Sequence, residues 1–246
     1  MGTRAVNDHA LAASIAAEAG ALLLRLQREG TAGSALGAAG DRQANALILK
    51  RLRAERPDDA ILSEESPDDL ARCDARRAWI VDPLDGTREF ADCRDDWAVH
   101  VGLSVDGAAA VGAVALPALD TVLSTGTPLP LPPGNHPPRL LVSRTRPPAE
   151  AARVAQAIGA ELVPMGSAGA KAMAVVRGTG DIYLHSGGQF QWDNCAPVAV
   201  ALAAGLHASR LDGSPLVYNG AERAIPDLLI SRREWAEPVL EALSRS

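Results

Sequence analysis

Four carboxylates stand where short apolar runs end. Trp79-Ile80-Val81 leads into Asp82-Pro83-Leu84-Asp85-Gly86-Thr87. Pro83 removes a backbone donor and Gly86 permits a sharp turn, so Asp82 and Asp85 can converge on one point. Read alone, D-P-x-D-G is equally a turn whose aspartates accept local hydrogen bonds. Leu62-Ser63-Glu64-Glu65-Ser66 closes a second short run, and adjacent glutamates repel each other unless water or cations neutralise them. Trp192-Asp193 opens the apolar stretch Ala196 to Ala204, where Asp193 by itself reads as a helix N-cap. Taken together, Glu64, Asp82, Asp85 and Asp193 are hard oxygen donors with no cysteine pair or histidine cluster among them. That donor set suits Mg²⁺ or Mn²⁺ and not zinc. His9, His100, His136, His185 and His207 are dispersed and read as structural or surface groups. No G-x-S-x-G elbow and no G-x-x-x-x-G-K-[ST] loop occurs, which disfavours serine hydrolases and P-loop nucleotidases.

The elements that must hold these groups follow from periodicity. Leu11, Ile15, Ala19, Leu22 and Leu26 recur at helical steps from Asn7 to about Arg28, with Asn7 or Asp8 as cap. The glycine-rich stretch from Thr31 to Gly40 breaks the pattern, and a second helix ends before Pro57. Asp41 is therefore expected where a loop enters that helix. Ala60 to Leu62 and Ala78 to Val81 read as short strands that deliver acids just past their ends. Trp97 to Val105, Ala109 to Leu116 and Thr121 to Thr125 read as antiparallel strands. The proline-rich segment Pro128 to Pro138 is a stiff connection, and the boundary between two halves, 1–137 and 138–246, is placed there. Beyond it, strands Arg139 to Ser143, Glu161 to Met165 and Asp181 to His185 alternate with helices Pro148 to Ile158, Ser167 to Arg177 and Asp193 to Ala204. A strand near Asp227 to Ile230 and a helix from Arg233 to Leu243 close the chain. This alternation predicts a layered α/β sandwich with helices packed on sheets.

Composition narrows the partners. The chain has 246 residues, 47% hydrophobic and 22% charged, with a net charge of −6, so it needs no disulfide or metal simply to fold. Acidic and basic residues are interspersed, which argues against a groove for a nucleic-acid polymer. Cys73, Cys93 and Cys195 form no C-x-x-C pair, which fits a reducing cytoplasm. The first twenty residues lack the pattern of an export signal, and the start resembles a myristoylation site only at Gly2. No membrane partner is expected, and the assembly is expected to be a monomer or a homodimer.

L-S-E-E-S, W-I-V-D-P-L-D-G-T-R-E-F and W-D-N-C-A-P, in that order, resemble the signature motifs of the inositol monophosphatase superfamily of metal-dependent, lithium-sensitive phosphatases. A-G-D-R-Q-A-N, G-S-A-G-A-K-A-M-A-V and S-R-L-D-G-S-P-L-V-Y-N resemble its CysQ branch, the 3′(2′),5′-bisphosphate nucleotidases. The resemblance implies an α/β/α/β/α sandwich and two or three Mg²⁺ ions. Glu64, Asp82 and the Leu84 carbonyl would serve the first ion, Asp85 and Asp193 would complete the second site, and Asp82 would bridge. Gly86 and Thr87 would offer N–H groups to the phosphate, while Asp41 and the Thr87 hydroxyl would activate water. Glu64, Asp85 and Asp193 would also border the substrate, and Lys171 would meet the phosphate that is not cleaved. Many relatives carry threonine three residues before Asp41, where this chain has Ala38. Glu65 could assist a further ion or remain a solvated acid. The implied substrate is adenosine 3′,5′-bisphosphate, a step linked to sulfate assimilation. Inositol 1-phosphate and fructose 1,6-bisphosphate are the alternatives within the fold, and a non-catalytic metal- and anion-binding protein is the alternative outside enzymology.

Overall fold

Residues 7–29 and 33–244 are described in a computed structural model. Asn7 caps α1 (Asp8–Arg28), its Oδ1 accepting the Ala10 N–H at 2.7 Å. The buried stripe of α1 comprises Leu11, Ile15, Ala19 and Leu23. By length and composition α1 could cross a membrane, but this stripe packs into the core beneath the first sheet. The following helix, α2 (Gly33–Glu55), corrects the expected glycine-rich break. Thr31 lies outside the described residues, but Gly33 to Gly40 is helical, so Asp41 sits two turns inside α2 and not at its entry. The glycines serve close approach: a Cβ on Gly37 would stand 2.7 Å from the Thr87 methyl carbon. Helix propensity is sacrificed here so that α2 can lie directly on the Asp85–Thr87 turn.

The first sheet contains β1 (Ala60–Ser63), β2 (Arg77–Asp85), β3 (Ala98–Val105), β4 (Ala108–Leu116) and β5 (Thr121–Ser124), in that spatial order, with α3 (Thr87–Ala91) between β2 and β3. β1 runs parallel to β2, and the remaining pairs are antiparallel. β2 continues beyond its expected end at Val81. Its pairing with β3 shifts register between Asp82 and Asp85, because Pro83 cannot donate to the ladder. The result is an irregular strand end that places two buried carboxylates, Asp82 and Asp85, side by side.

After a linker come β6 (Arg139–Ser143), α4 (Ala151–Ile158), β7 (Glu161–Met165), α5 (Ala168–Val176), β8 (Ile182–Phe190), α6 (Gln191–Ala203), β9 (His207–Ser209), β10 (Ala224–Ser231) and α7 (Arg233–Ser244). The second sheet has the order β7-β6-β8-β10-β9, with β6 parallel to both β7 and β8. Its core neighbours fix the layers. Val154 of α4 and Val239 of α7 pack with Leu140, Ile182 and Leu229 on one face. On the other face, Met173 of α5 and Val198 of α6 join Tyr183 and Leu228 to Ala98 and Val114 of the first sheet. The stack is therefore α1/α2, first sheet, α5/α6, second sheet, α4/α7, the expected α/β/α/β/α sandwich. α6 lies almost on the backbone of β3 and β4: a Cβ on Gly112 would stand 2.4 Å from the Ala196 carbonyl oxygen. That contact sets the depth at which the N-terminus of α6 meets the end of β2.

Candidate active site

Carboxylate oxygens of Asp82, Asp85 and Asp193 lie within 4.8 Å of one another. β2 supplies the first two at its irregular end, and α6 supplies the third from its first turn. Asp193 is the third residue of α6 and not its N-cap; its Oδ2 accepts the Phe190 N–H at 2.6 Å, so it closes the helix start from inside. Glu64 lies one residue past β1, and its charge helps to raise the Asp82 carboxyl. It stands at the open side of the cluster. Asp82 is 1% exposed. Burial first, then the charges of Glu64, Asp85 and Asp193, hold its carboxyl well above the ordinary carboxylate range. Burial and the charges of Asp85 and Glu64 likewise push Asp193 up to about 7.

Asp85 behaves oppositely. Although burial works against its charge, His100, Ser167 and the Gly169 N–H hold its pKa down at about 2. Ser167 Oγ donates to Oδ2, Gly169 N donates to the same oxygen at 2.6 Å, and Ala168 N donates to Oδ1 at 3.1 Å. The start of α5, a natural place for an anion, thus cradles the protein's own Asp85. Ser167 caps α5 by accepting the Ala170 N–H at 3.0 Å, and it does so with φ at +45°, a strained conformation for a side-chain-bearing residue. His100 is fully buried. Its Nδ1–H donates to the Trp192 carbonyl at 3.0 Å, and its Nε2 lies 3.3 Å from Asp85 Oδ2. The ring therefore joins β3 to the turn of α6 that carries Asp193. Gly169 completes the fit, since a Cβ there would stand 2.0 Å from His100 Nε2.

Asp41 and Thr87 meet as the resemblance implies. The Thr87 hydroxyl donates to the Leu84 carbonyl at 3.2 Å and reaches Asp41 at the longer distance of 3.5 Å. Burial, followed by Glu65 and Glu64, pushes Asp41 up to about 7. Lys171 is buried beside the cleft and held by its own segment. It is 4% exposed, its ammonium lies 5.2 Å over the Tyr183 ring, and it donates to the carbonyls of Gly166 at 3.0 Å, Met165 at 3.5 Å and Ser167. Its ammonium is held against the turn that grips Asp85, and the side chain also borders the cleft. Burial lowers its pKa to about 8 despite Asp85, Glu89, Asp96 and Asp193 nearby.

A cleft of about 370 Å³ opens beside the carboxylates, within the range of small-molecule sites. Glu64, Asp85, Gly86, Thr87, Lys171 and Asp193 line it, whereas Asp82 and Leu84 lie beneath. Arg88, Arg144, Arg146 and His185 also line it, none of them singled out by sequence reasoning. In the sequence His185 and His100 read as structural or surface groups, since isolated histidines carry no spacing signal. The arginines did carry one, because S-R-T-R follows a strand in a chain with only two lysines. Burial and the nearby Lys171 and Arg146 lower the His185 pKa, and its Nε2 pairs with the Gly187 carbonyl at 2.7 Å.

These motifs have counterparts among known proteins. The 3′-phosphoadenosine 5′-phosphate phosphatase of Mycobacterium bovis is 53% identical over 242 residues, covering 92% of this chain and 90% of that protein. The 3′(2′),5′-bisphosphate nucleotidase CysQ of Escherichia coli is 31% identical over 202 residues, covering 75% and 80%. Among solved structures, CysQ from Bacteroides thetaiotaomicron superposes with a TM-score of 0.82 at 23% identity, over 91% of this chain and 96% of that one. The sequence profile of the inositol monophosphatase family matches residues 5–129 and 137–246. With that coverage and those relatives, the chain belongs to the inositol monophosphatase family, a family of metal-dependent phosphatases.

Proposed function

We propose that this enzyme is a Mg²⁺-dependent 3′(2′),5′-bisphosphate nucleotidase that converts adenosine 3′,5′-bisphosphate and water to AMP and phosphate. The observation that carries the reading is the meeting of Asp82, Asp85 and Asp193 beside a cleft that Glu64 and Thr87 also line. Mutually repelling, mostly buried carboxylates with only oxygen donors fit a hard divalent cation, which would draw their raised pKa values down. Glu64, Asp82, Asp85, Asp193 and the Leu84 carbonyl would hold two or three Mg²⁺ ions, and Mn²⁺ fits the same donors. Such ions supply Lewis-acid stabilisation of the phosphoryl oxygens and of the leaving oxygen.

The chain's own groups then have distinct tasks. Asp41 accepts a proton from the attacking water, and the Thr87 hydroxyl beside it helps to orient that water. Gly86 and Thr87 offer backbone N–H groups to the phosphate. As the water oxygen bonds to phosphorus, the bond to the 3′ oxygen breaks, and that oxygen leaves with the electron pair and is protonated. His100, Ser167 and the first N–H groups of α5 keep Asp85 ionised and fixed throughout. The substrate choice rests on the names of the 53% and 31% identical relatives. The three free cysteines suit a reducing cytoplasm. We also place the boundary between the two halves in the linker near residue 137.

Phosphate release from adenosine 3′,5′-bisphosphate, inositol 1-phosphate and fructose 1,6-bisphosphate, each with and without Mg²⁺, tests this reading. The expected result is Mg²⁺-dependent turnover with the highest kcat/KM on the nucleotide. A preference for either sugar phosphate would overturn the substrate assignment, and no Mg²⁺-dependent release from any of the three would overturn the activity.

A further inference from the structure

We propose that Tyr218 and Asn219 are positioning residues that fix Asp193 relative to Glu64 and Asp82 from behind the carboxylates. The role rests on the reading above that these groups hold a divalent cation, and it gives a task to the segment S-R-L-D-G-S-P-L-V-Y-N, which ends in this pair. Neither residue lines the cleft. Both are nevertheless buried, at 2% and 8% exposed, in a stretch without regular secondary structure between β9 and β10. A buried loop must find partners for its polar groups, and here those partners flank the carboxylates.

Tyr218 shares one apolar cluster with Leu62, Ile80, Trp192 and Cys195. Leu62 stands two residues before Glu64, Ile80 two before Asp82, and Trp192 directly before Asp193. The cluster thus joins β1, β2 and α6, the elements that deliver those acids, and Tyr218 helps to fill it from a distant part of the chain. Its hydroxyl adds direction. It donates to Asn194 Oδ1 at 3.0 Å, Asn194 Nδ2 donates to Gln189 Oε1 at 3.1 Å, and Gln189 Nε2 donates to the Tyr183 hydroxyl at 2.7 Å. All four side chains are buried, so no bond in this series is readily exchanged for one to water. The series passes through the residue after Asp193 and ends at Tyr183 in the lining of the cleft.

Asn219 ties two segments together. Its N–H donates to Gln191 Oε1 at 2.7 Å, while Gln191 Nε2 donates to the Glu222 carbonyl at 2.7 Å and the Gly220 carbonyl at 3.2 Å. The first residue of α6 is therefore clasped by the loop. The Asn219 side chain holds the segment between Glu64 and β2: Nδ2 donates to the carbonyls of Arg72 at 2.8 Å and Ala75 at 3.0 Å, and Oδ1 accepts from Arg72 Nη1 at 3.1 Å. Asn219 has φ of +61°, a left-handed conformation that asparagine and glycine tolerate better than other residues. Only asparagine combines that backbone with a side-chain donor and acceptor that reach the Arg72 turn.

Calorimetric titration of Mg²⁺ into wild type, Tyr218→Phe, Asn219→Gly and Val239→Ala tests the role, with melting temperatures taken in metal-free buffer. Tyr218→Phe keeps the ring and removes the hydroxyl. Asn219→Gly keeps the left-handed backbone and removes the bonds to residues 72 and 75. Val239→Ala is the control for lost stability, since it opens the packing of α7 against the far face of the second sheet. The expected result is a rise of about tenfold or more in the Mg²⁺ dissociation constant of both loop variants, in the range seen when a group behind a metal ligand is lost. The Mg²⁺ concentration that half-saturates phosphate release should rise with it, kcat at saturating Mg²⁺ should be largely kept, and Val239→Ala should bind Mg²⁺ as wild type does. Should Asn219→Gly fail to fold, Arg72→Lys, which loses the contacts with Asn219 and Gly220, probes the same tie. A wild-type dissociation constant in either loop variant, or an equal rise in Val239→Ala, overturns the positioning role and leaves the cation reading standing. A wild-type protein that binds no Mg²⁺ overturns the cation reading, and the positioning role with it.

Discussion

Asp82 and Asp85 are three residues apart, equally buried from bulk water, and opposite in electrostatic character. Asp85 receives donors from Ser167, Ala168 and Gly169, whereas Asp82 Oδ1 accepts only the Leu84 N–H, at 3.0 Å, and faces Glu64 and Asp193. One carboxylate is held ionised by the protein, and the other is surrounded by like charge. Asp82→Asn is accordingly expected to lower kcat by about 10³-fold or more, beyond the 10–100-fold typical of losing a group behind a metal ligand. In metal-free buffer the same variant should melt at or above the wild-type temperature. The sign follows from the raised carboxyl: at neutral pH the folded state must either bind a proton that the unfolded chain lacks or suffer the repulsion, and Asn avoids both. Phosphate-release kinetics and calorimetry check the two halves of that expectation, and wild-type activity would remove Asp82 from the centre. Lys171 makes the complementary case. Replacing it with Met strands the Met165, Gly166 and Ser167 carbonyls and loosens the turn that grips Asp85. Lys171→Met should therefore reduce kcat/KM for the bisphosphate and for inositol 1-phosphate by similar factors, about tenfold or more, and lower the melting temperature. A loss confined to the bisphosphate would instead show the ammonium meeting substrate. The carboxylates were legible in the sequence because charge at the end of an apolar run is conspicuous. The partners of Lys171 were not, since nothing in G-S-A-G-A-K says that the chain folds the ammonium back onto its own carbonyls.

Elements, more than individual residues, set the distances between these groups. Asp193 reaches Asp82 and Asp85 only because α6 sits almost in contact with the first sheet, where Gly102 of β3 pairs with Gly112 of β4 under the helix. Gly112→Ala would place a methyl carbon 2.4 Å from the Ala196 carbonyl oxygen, a clash with backbone that no rotamer relieves. The expected cost is at the upper end of the 1–3 kcal/mol seen for overpacked cores, about 3 kcal/mol by denaturant titration, with a weakened metal response as α6 is pushed away. Stability within about 0.5 kcal/mol of wild type would show that the sheet yields instead. The same logic explains what periodicity misread. Helices with an apolar stripe, such as α1 and α7, stand out in the sequence, and most strands do too. α2 does not, because Gly33 to Gly40 has the composition of a loop and is made helical by what it touches: the Gly37 contact with Thr87 and the burial of Leu36. Asp41 was thereby assigned to a helix entry when it is carried on the middle of a rigid rod. β9 escaped notice because three residues carry too little pattern to read.

At the scale of the molecule, the carboxylates come from distant parts of one chain. Glu64 follows β1, Asp82 and Asp85 lie at the end of β2 in the first sheet, and Asp193 stands in the first turn of a helix that follows the last residue of β8 in the second. The two sheets are already joined by a shared apolar layer and by polar ties such as buried Arg72, which pairs with Asp68 and donates to Asn219 Oδ1 at 3.1 Å. A cation bound to ligands from both would add to that connection only in the folded state, because the unfolded chain cannot bring residues 64, 82, 85 and 193 together. Stability should then rise with free Mg²⁺ by mass action, by about 2.7 kcal/mol at a concentration 100 times the dissociation constant. Asp193→Asn separates this effect from ordinary helix stability: the amide oxygen can still accept the Phe190 N–H, and a neutral amide avoids the cost of burying the Asp193 carboxylate, so the metal-free melting temperature should not fall. The Mg²⁺-dependent rise in melting temperature should shrink sharply in this variant, together with activity. A rise equal to that of wild type would mean that the cation is held by the first sheet alone, and Asp193 would then act only in closing the start of α6.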